Sequence, residues 1–173
     1  MIRKQILVAA GMAAGVLVLL LLYGSGAALR FPNPLGDDEA ARLAFAARWM
    51  LVPALCLLAG IAMTANRRFF VEDAIDGSPA TQSTALQINL RYNQNTLEQT
   101  VLAAAAWSGL ALALPHEQLG LIPLLAVFFA TGRATFWVGY LIAPWARAFG
   151  LVLTFYPTVA ALIWLAIRSL SCL

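Results

Sequence analysis

The sequence predicts an all-α, polytopic transmembrane helix bundle, and three observations carry that prediction. Of 173 residues, 62% are hydrophobic and only 11% charged, where a soluble domain carries about 25% charged residues. The apolar residues, with a mean hydropathy of +0.81, fall in blocks of about 18–25, the length at which a helix spans a ~30 Å hydrocarbon core. Short alternating runs between Asn-Gly turns are absent, which argues against a membrane β-barrel. The net charge of +3 sits at the ends of the blocks. It follows the positive-inside rule rather than a nucleic-acid surface, which would show a basic and aromatic stripe.

The first segment, 1–28, begins with Arg3 and Lys4, runs apolar from Ile6 to Tyr23 and ends in Gly24-Ser25-Gly26-Ala27-Ala28. A signal peptide has the same order of parts, but its apolar centre is about 7–15 residues long. The longer run here is read as an uncleaved span, with a signal peptide as the alternative; both put the N-terminus in the cytoplasm. A loop containing Pro32, Pro34 and Gly36 follows. Asp37-Asp38-Glu39 then opens a helix at its dipole-favoured end, as a solvated cap rather than a metal site.

The second span is expected over 43–65, kinked at Pro53, with Arg48 snorkelling outward, and it stops at Asn66-Arg67-Arg68. A polar loop over 69–84 carries Gly77 and Pro79. The third span runs from Ser83 or Thr84 to Leu114, two to three turns longer than a bilayer needs, so its start projects toward the cytoplasm. Pro115–Gly120 is an outer turn, and the fourth span covers 121–141. Ala143-Pro144-Trp145-Ala146 turns the chain into a fifth span over 149–167.

This path gives the cytoplasm Arg3, Lys4, Arg67, Arg68, Arg91, Arg133 and Arg147, and leaves Arg30, Arg42, Arg48 and Arg168 outside. The asymmetry supports five spans with the C-terminus outside. A short chain without a retention signal fits a bacterial inner membrane. Cys56 and Cys172 have no metal-ligand spacing and His116 has no second histidine beside it, so no metal site is expected.

The third span holds the most polar stretch, Leu90–Gln99. Arg91, Asn95 and Glu98 stand at i, i+4 and i+7, within a ~60° arc of one helix face, with Gln94 and Gln87 beside them. A helical rise of 1.5 Å puts Arg91 roughly 34 Å from Leu114, Glu98 about 10 Å deeper than Arg91, and Arg133 about 18 Å from Leu121. Glu98 and Arg133 thus share a depth, below a mouth ringed by Arg91, Tyr140 and Arg147. Charged residues in a membrane usually face a bundle interior or cavity. One reading is an ion pair, Glu98–Arg133, that fixes two spans. The other is a pocket for a small anionic molecule: guanidinium forks take carboxylates, a glutamate takes an ammonium, and an asparagine amide serves either. A peptide-like ligand with two carboxylates and one amino group, such as glutathione, fits.

Arg91-Tyr92-Asn93-Gln94-Asn95-Thr96-Leu97-Glu98 resembles the Arg-x-x-x-Asn-x-x-Glu signature of the membrane-associated proteins in eicosanoid and glutathione metabolism (MAPEG). Asn66-Arg67-Arg68-Phe69 resembles the family's paired arginines after a span, and Arg133, Tyr140 and Arg147 keep an Arg…Tyr…Arg order at sevenfold spacing. The resemblance implies four MAPEG-like spans over 43–168 plus the N-terminal hydrophobic segment, and a homotrimer embedded in membrane lipids. It implies glutathione as co-substrate between subunits near the cytoplasmic face, contacted by Arg67, Arg91, Asn95, Glu98, Arg133 and Tyr140, with Gln94 where some members have a second arginine. Arg147 corresponds to the arginine that lowers the thiol pKa. The implied activity is glutathione transferase or peroxidase towards a hydrophobic small molecule; the alternative is a lipid- or glutathione-binding relative without turnover. Phe136 stands where leukotriene-C synthase has a tyrosine, and Pro144 interrupts the helix between Tyr140 and Arg147.

Overall fold

The computed structural model describes residues 2–69 and 84–171, apart from the Leu29 side chain. Residues 70–83 of the loop expected over 69–84, and Cys172, lie outside these residues, while Phe69 and Thr84 belong to helices. The described chain is helical throughout: α1 (Ile2–Gly24), α2 (Glu39–Trp49), α3 (Leu51–Phe69), α4 (Thr84–Ala113), α5 (Leu121–Ile142) and α6 (Ala148–Ser171), with one-turn 3₁₀ segments at Ala27–Arg30 and His116–Gln118. Taking α2 and α3 as one broken rod, four of the rods are long and apolar enough to cross a membrane: α1, α2–α3, α5 with its preceding turn, and α6. The fifth, α4, has the length at 30 residues, and its polar stretch keeps its hydropathy below the others. It nevertheless packs against α2, α3, α5 and α6.

Local chemistry accounts for the helix ends. Asp38 caps α2, its carboxylate accepting from the Ala41 amide at 2.9 Å, so the helix starts at Glu39, a turn before the expected span. The break between α2 and α3 falls at Met50. Pro53 has no N–H for the Trp49 carbonyl and its ring crowds that carbonyl, which displaces the kink to the turn before the proline. At its C-terminus α4 would leave carbonyls without partners. The Arg42 guanidinium donates to two of them, Leu114 at 2.8 Å and Ala111 at 3.2 Å. The same guanidinium reaches the Asp37 carboxylate at 2.9 Å through Nε, and His116 Nδ1 lies 3.0 Å from that carboxylate. Loop, α2 and the α4–α5 turn are thereby clasped at one end of the bundle, here the far end.

The main core lies nearer that end. Trp107 of α4 meets Phe129 of α5 edge-on at 6.3 Å, among Phe45, Ala103, Ala106, Leu110 and Ile122, all buried. At the opposite end α5 and α6 come close enough for backbones to touch. A Cβ on Gly150 would run into the Gly132 carbonyl and the Phe136 amide, so glycine at 150 permits the crossing, as small residues do between membrane helices. α1 lies along α6, with Gly11 beside Ala148 and Gly15 beside Val152. Gly15 is its one buried residue among those described.

Candidate functional site

The polar residues of α4 divide between two faces. Asn89, Tyr92, Thr96 and Gln99 point into the bundle and are buried; Gln87, Arg91, Gln94 and Glu98 are exposed. Asn95 lies between the two sets and turns toward α5. This inward stripe was missed in the sequence, because the charged residues one step round the helix drew attention to the other face. Its recurrence at three- and four-residue spacing, the same period as the apolar stripe that continues it through Ala103 and Ala106, was the available signal.

Arg133 of α5 is 1% exposed. Its Nη1 donates to Asn95 Oδ1 at 2.6 Å and its Nη2 to Thr154 Oγ1 of α6 at 2.7 Å. The guanidinium lies over the Phe136 ring at 4.6 Å and near the Phe129 ring at 5.8 Å. One cation thus ties three helices, with neutral oxygens and aromatic faces as its partners. The Gly132–Gly150 crossing brings Thr154 within its reach. Among the described residues the ion pair is that of Asp37 with Arg42, with His116 Nδ1 beside the same carboxylate, so the Glu98–Arg133 pair of the first reading is not formed. Glu98 instead accepts from Gln94 Nε2 at 2.9 Å on the exposed face. Facing α5 rather than lying on the Arg91 arc is what makes Asn95 the partner of Arg133. Thr154 had no motif to announce it.

Above Arg133 a second group forms. Arg91 Nη1 donates to Tyr140 Oη at 2.9 Å, and the Arg147 guanidinium stands over the Tyr140 ring at 4.7 Å. The break at Pro144 therefore does not carry Arg147 away: α5 ends at Ile142, Ala143 is extended, and the turn folds the chain back. Tyr140 packs on Phe136 at 5.9 Å, and Tyr92 packs on Phe136 at 6.3 Å and Trp137 at 5.8 Å. Tyr92 in turn donates to the Cys56 carbonyl of α3 at 3.2 Å. Two arginines are thus held on one tyrosine by an aromatic floor, with a third arginine beneath it. Such a group is suited to an anion with more than one acceptor. Arg67 lies in the last turn of α3, partly exposed. Of the residues expected to form a site, Arg91, Asn95, Arg133, Tyr140 and Arg147 come together within one chain. Gln94 and Glu98 form a pair on the outward face of α4.

The model of the MAPEG family matches residues 40–167. The chain belongs to the MAPEG family. The match covers α2 to most of α6 and leaves α1 outside it. Among curated proteins this MAPEG chain is similar to transmembrane protein 79 of Mus musculus, 28% identical over 165 residues, which are 91% of the chain and 40% of the relative. It is likewise 28% identical over 153 residues to transmembrane protein 79 of Bos taurus, covering 88% of the chain and 38% of that protein. The chain thus spans about two fifths of the length of these relatives. No solved structure matches it.

Proposed function

We propose that this MAPEG chain binds glutathione at the Arg91–Tyr140–Arg147 group and conjugates it to lipophilic electrophiles, or uses it to reduce lipophilic hydroperoxides. The observation that carries the reading is the pair of guanidinium groups held on the two sides of one tyrosine: Arg91 on its hydroxyl and Arg147 on its ring. Arg91, with Arg67 at the end of α3, suits the carboxylates of the tripeptide, and Glu98 with Gln94 suits its ammonium. Arg133 acts from beneath as a positioning residue, since both ends of its fork are occupied within the chain, and it fixes the orientation of the Asn95 amide.

Arg147 is the cation beside the thiol. A nearby positive charge favours thiolate, and thiolate is the nucleophile. In the transferase reaction the sulfur donates its electron pair to an electrophilic carbon; the C–S bond forms as the leaving group departs with its bonding pair. In the peroxidase reaction the thiolate attacks a peroxide oxygen, releasing the alcohol and a sulfenic acid, and a second glutathione then closes the disulfide with loss of water.

The outward face of α4 supports the homotrimer as part of this proposal. Gln87, Arg91, Gln94, Glu98, Val101, Ala105, Ser108 and Leu112 are exposed at alternating steps of three and four, which is the period of a helix–helix seam. Gln94 and Glu98 are costly against lipid, whereas copies of the same seam give them polar partners. A second reading, ligand binding without turnover, draws on Phe136. Its ring covers Arg133 where a tyrosine would offer a hydroxyl.

Calorimetry with glutathione on the detergent-purified protein, alongside a difference spectrum for thiolate, tests the proposal. Saturable binding is expected, weakened by Arg91→Ala, with a thiolate signal lost in Arg147→Ala. No binding at millimolar glutathione would overturn the reading. Binding without thiolate, and without turnover of an added electrophile, would establish the second one.

A further inference from the structure

The far end of the bundle holds an opening unrelated to the arginine group. A cavity of about 340 Å³ lies between the end of α4, the first half of α5 and the second half of α6. Its walls are apolar, including Leu125, Phe128 and Pro157, and its rim carries Tyr23, Gln118 and Trp164. A second cavity of about 270 Å³ shares Tyr23, Gln118 and Leu121 with it and extends to Gly26 and Ala28. Together they make an apolar chamber adjoining a mostly apolar antechamber whose polar groups include the Tyr23 hydroxyl and the Gln118 amide, of the size range of small-molecule sites, roughly 300–1,000 Å³. The space has a cause in the sequence. Pro157 interrupts the hydrogen bonding of α6, and the next side chains lining the cavity, Ala160 and Ala161, are too small to fill it. The antechamber has one as well: Gly120 admits the Ala28 carbonyl against the start of α5, where any Cβ would collide with it. That seats the 27–30 turn, and with it Tyr23, over Gln118.

The lining chemistry selects the occupant. None of the described residues lining either cavity is charged. Arg168, the cation one turn beyond Trp164, is exposed and held over the Trp164 ring at 5.3 Å. A charged head group would find no counter-charge among the described lining residues. A phenol and a primary amide each donate and accept, so Tyr23 and Gln118 match a head that offers both a hydroxyl and a carbonyl. We propose that this end of the protein binds a neutral, single-chain amphiphile of the monoacylglycerol class, its acyl chain in the chamber and its head at Tyr23 and Gln118. Tyr23, Gly26 and Ala28 precede residue 40, where the family match begins, so the N-terminal segment builds the mouth. The site shares no residue with the arginine group and does not rest on the glutathione reading.

The test is native mass spectrometry of the delipidated full chain in detergent, titrated in parallel with monoolein and with oleate. Monoolein is expected to bind at one per chain, with oleate about tenfold or more weaker because its charge goes unmatched. Ala161→Trp fills the chamber and should lower monoolein binding by about tenfold or more, and Gln118→Ala, at an exposed position, should weaken it without touching the fold. Arg168→Gln should leave it unchanged. Brominated monoolein should quench the tryptophan fluorescence of the wild type more than that of Trp164→Phe. Equal retention by wild type, Ala161→Trp and Gln118→Ala would reduce the signal to loosely held surface lipid and overturn the proposal. Tighter binding of oleate, lost in Arg168→Gln, would overturn the neutral head group.

Discussion

Arg133 and Asn95 show how residues of one signature can be turned toward different neighbours in the fold. Read along the helix, Asn95 belongs with Arg91 and Glu98; in the fold it turns inward and accepts from a cation with almost no exposure. A buried guanidinium stripped of its acceptor has nothing to replace it. Asn95→Ala should therefore lower stability by about 1.5–3 kcal/mol, the range for hydrogen bonds to charged groups. Arg133→Met, which removes the charge and keeps an apolar chain, should cost less; thermal unfolding in detergent compares the two. Asn95→Ala proving the milder change would mean that the pair does not carry the packing. At Tyr140 two substitutions separate hydroxyl from ring. Tyr140→Phe releases Arg91 and keeps the face on which Arg147 rests, worth about 0.5–1 kcal/mol or more. It should weaken glutathione binding and spare the thiolate signal, whereas Tyr140→Leu should lose both.

Among the elements, the crossing of α5 and α6 is the most exacting. Gly150→Ala places a methyl against two backbone groups that cannot rotate away, so the helices must part. About 1–3 kcal/mol of destabilisation is expected, together with a loosened Arg133–Thr154 bond, seen as a fall in both melting temperature and ligand affinity. The clasp at the far end responds to acid. Asp37 has its carboxyl held below its ordinary value of 3.8, first by the hydrogen bond from Arg42 and then by His116. A lowered folded pKa contributes stability above the unfolded value and loses it as pH falls through the folded one. Melting temperature should therefore drop as pH falls below about 4, and Asp37→Asn should abolish that part of the acid dependence. The helices themselves were legible, since block length and turn residues set α1, α4, α5 and α6 to within a few residues. The break at Met50 was displaced because a proline disturbs the turn before it. The direction of Glu98 was not legible, because the three residues lie so close in angle that only the position of α5 decides between them.

For the whole molecule, the sequence resemblance, the family match and the helical bundle agree. The alternating exposed stripe on α4 becomes visible only once the neighbours of that helix are known. It yields a prediction with opposite outcomes. If copies of the chain meet along it, Glu98→Leu should weaken the oligomer, measured by light scattering in detergent. If the stripe faces lipid, the same substitution removes a polar group from hydrocarbon and should raise the melting temperature without changing the mass. The latter result would remove the support that α4 gives to the trimer.

The hold of Arg42 on the last carbonyls of α4 has a mechanical consequence. It makes that end of a 30-residue helix a pivot, with Arg91 roughly 34 Å away along the axis at 1.5 Å per residue. A tilt of about 1° about the pivot moves Arg91 by roughly 0.6 Å over that length, a fifth of the length of its bond to Tyr140. The helix is a long arm anchored at one mouth of the protein and carrying Arg91 at the other, so the angle at which Arg42 holds its end is part of what sets the distance from Arg91 to Tyr140.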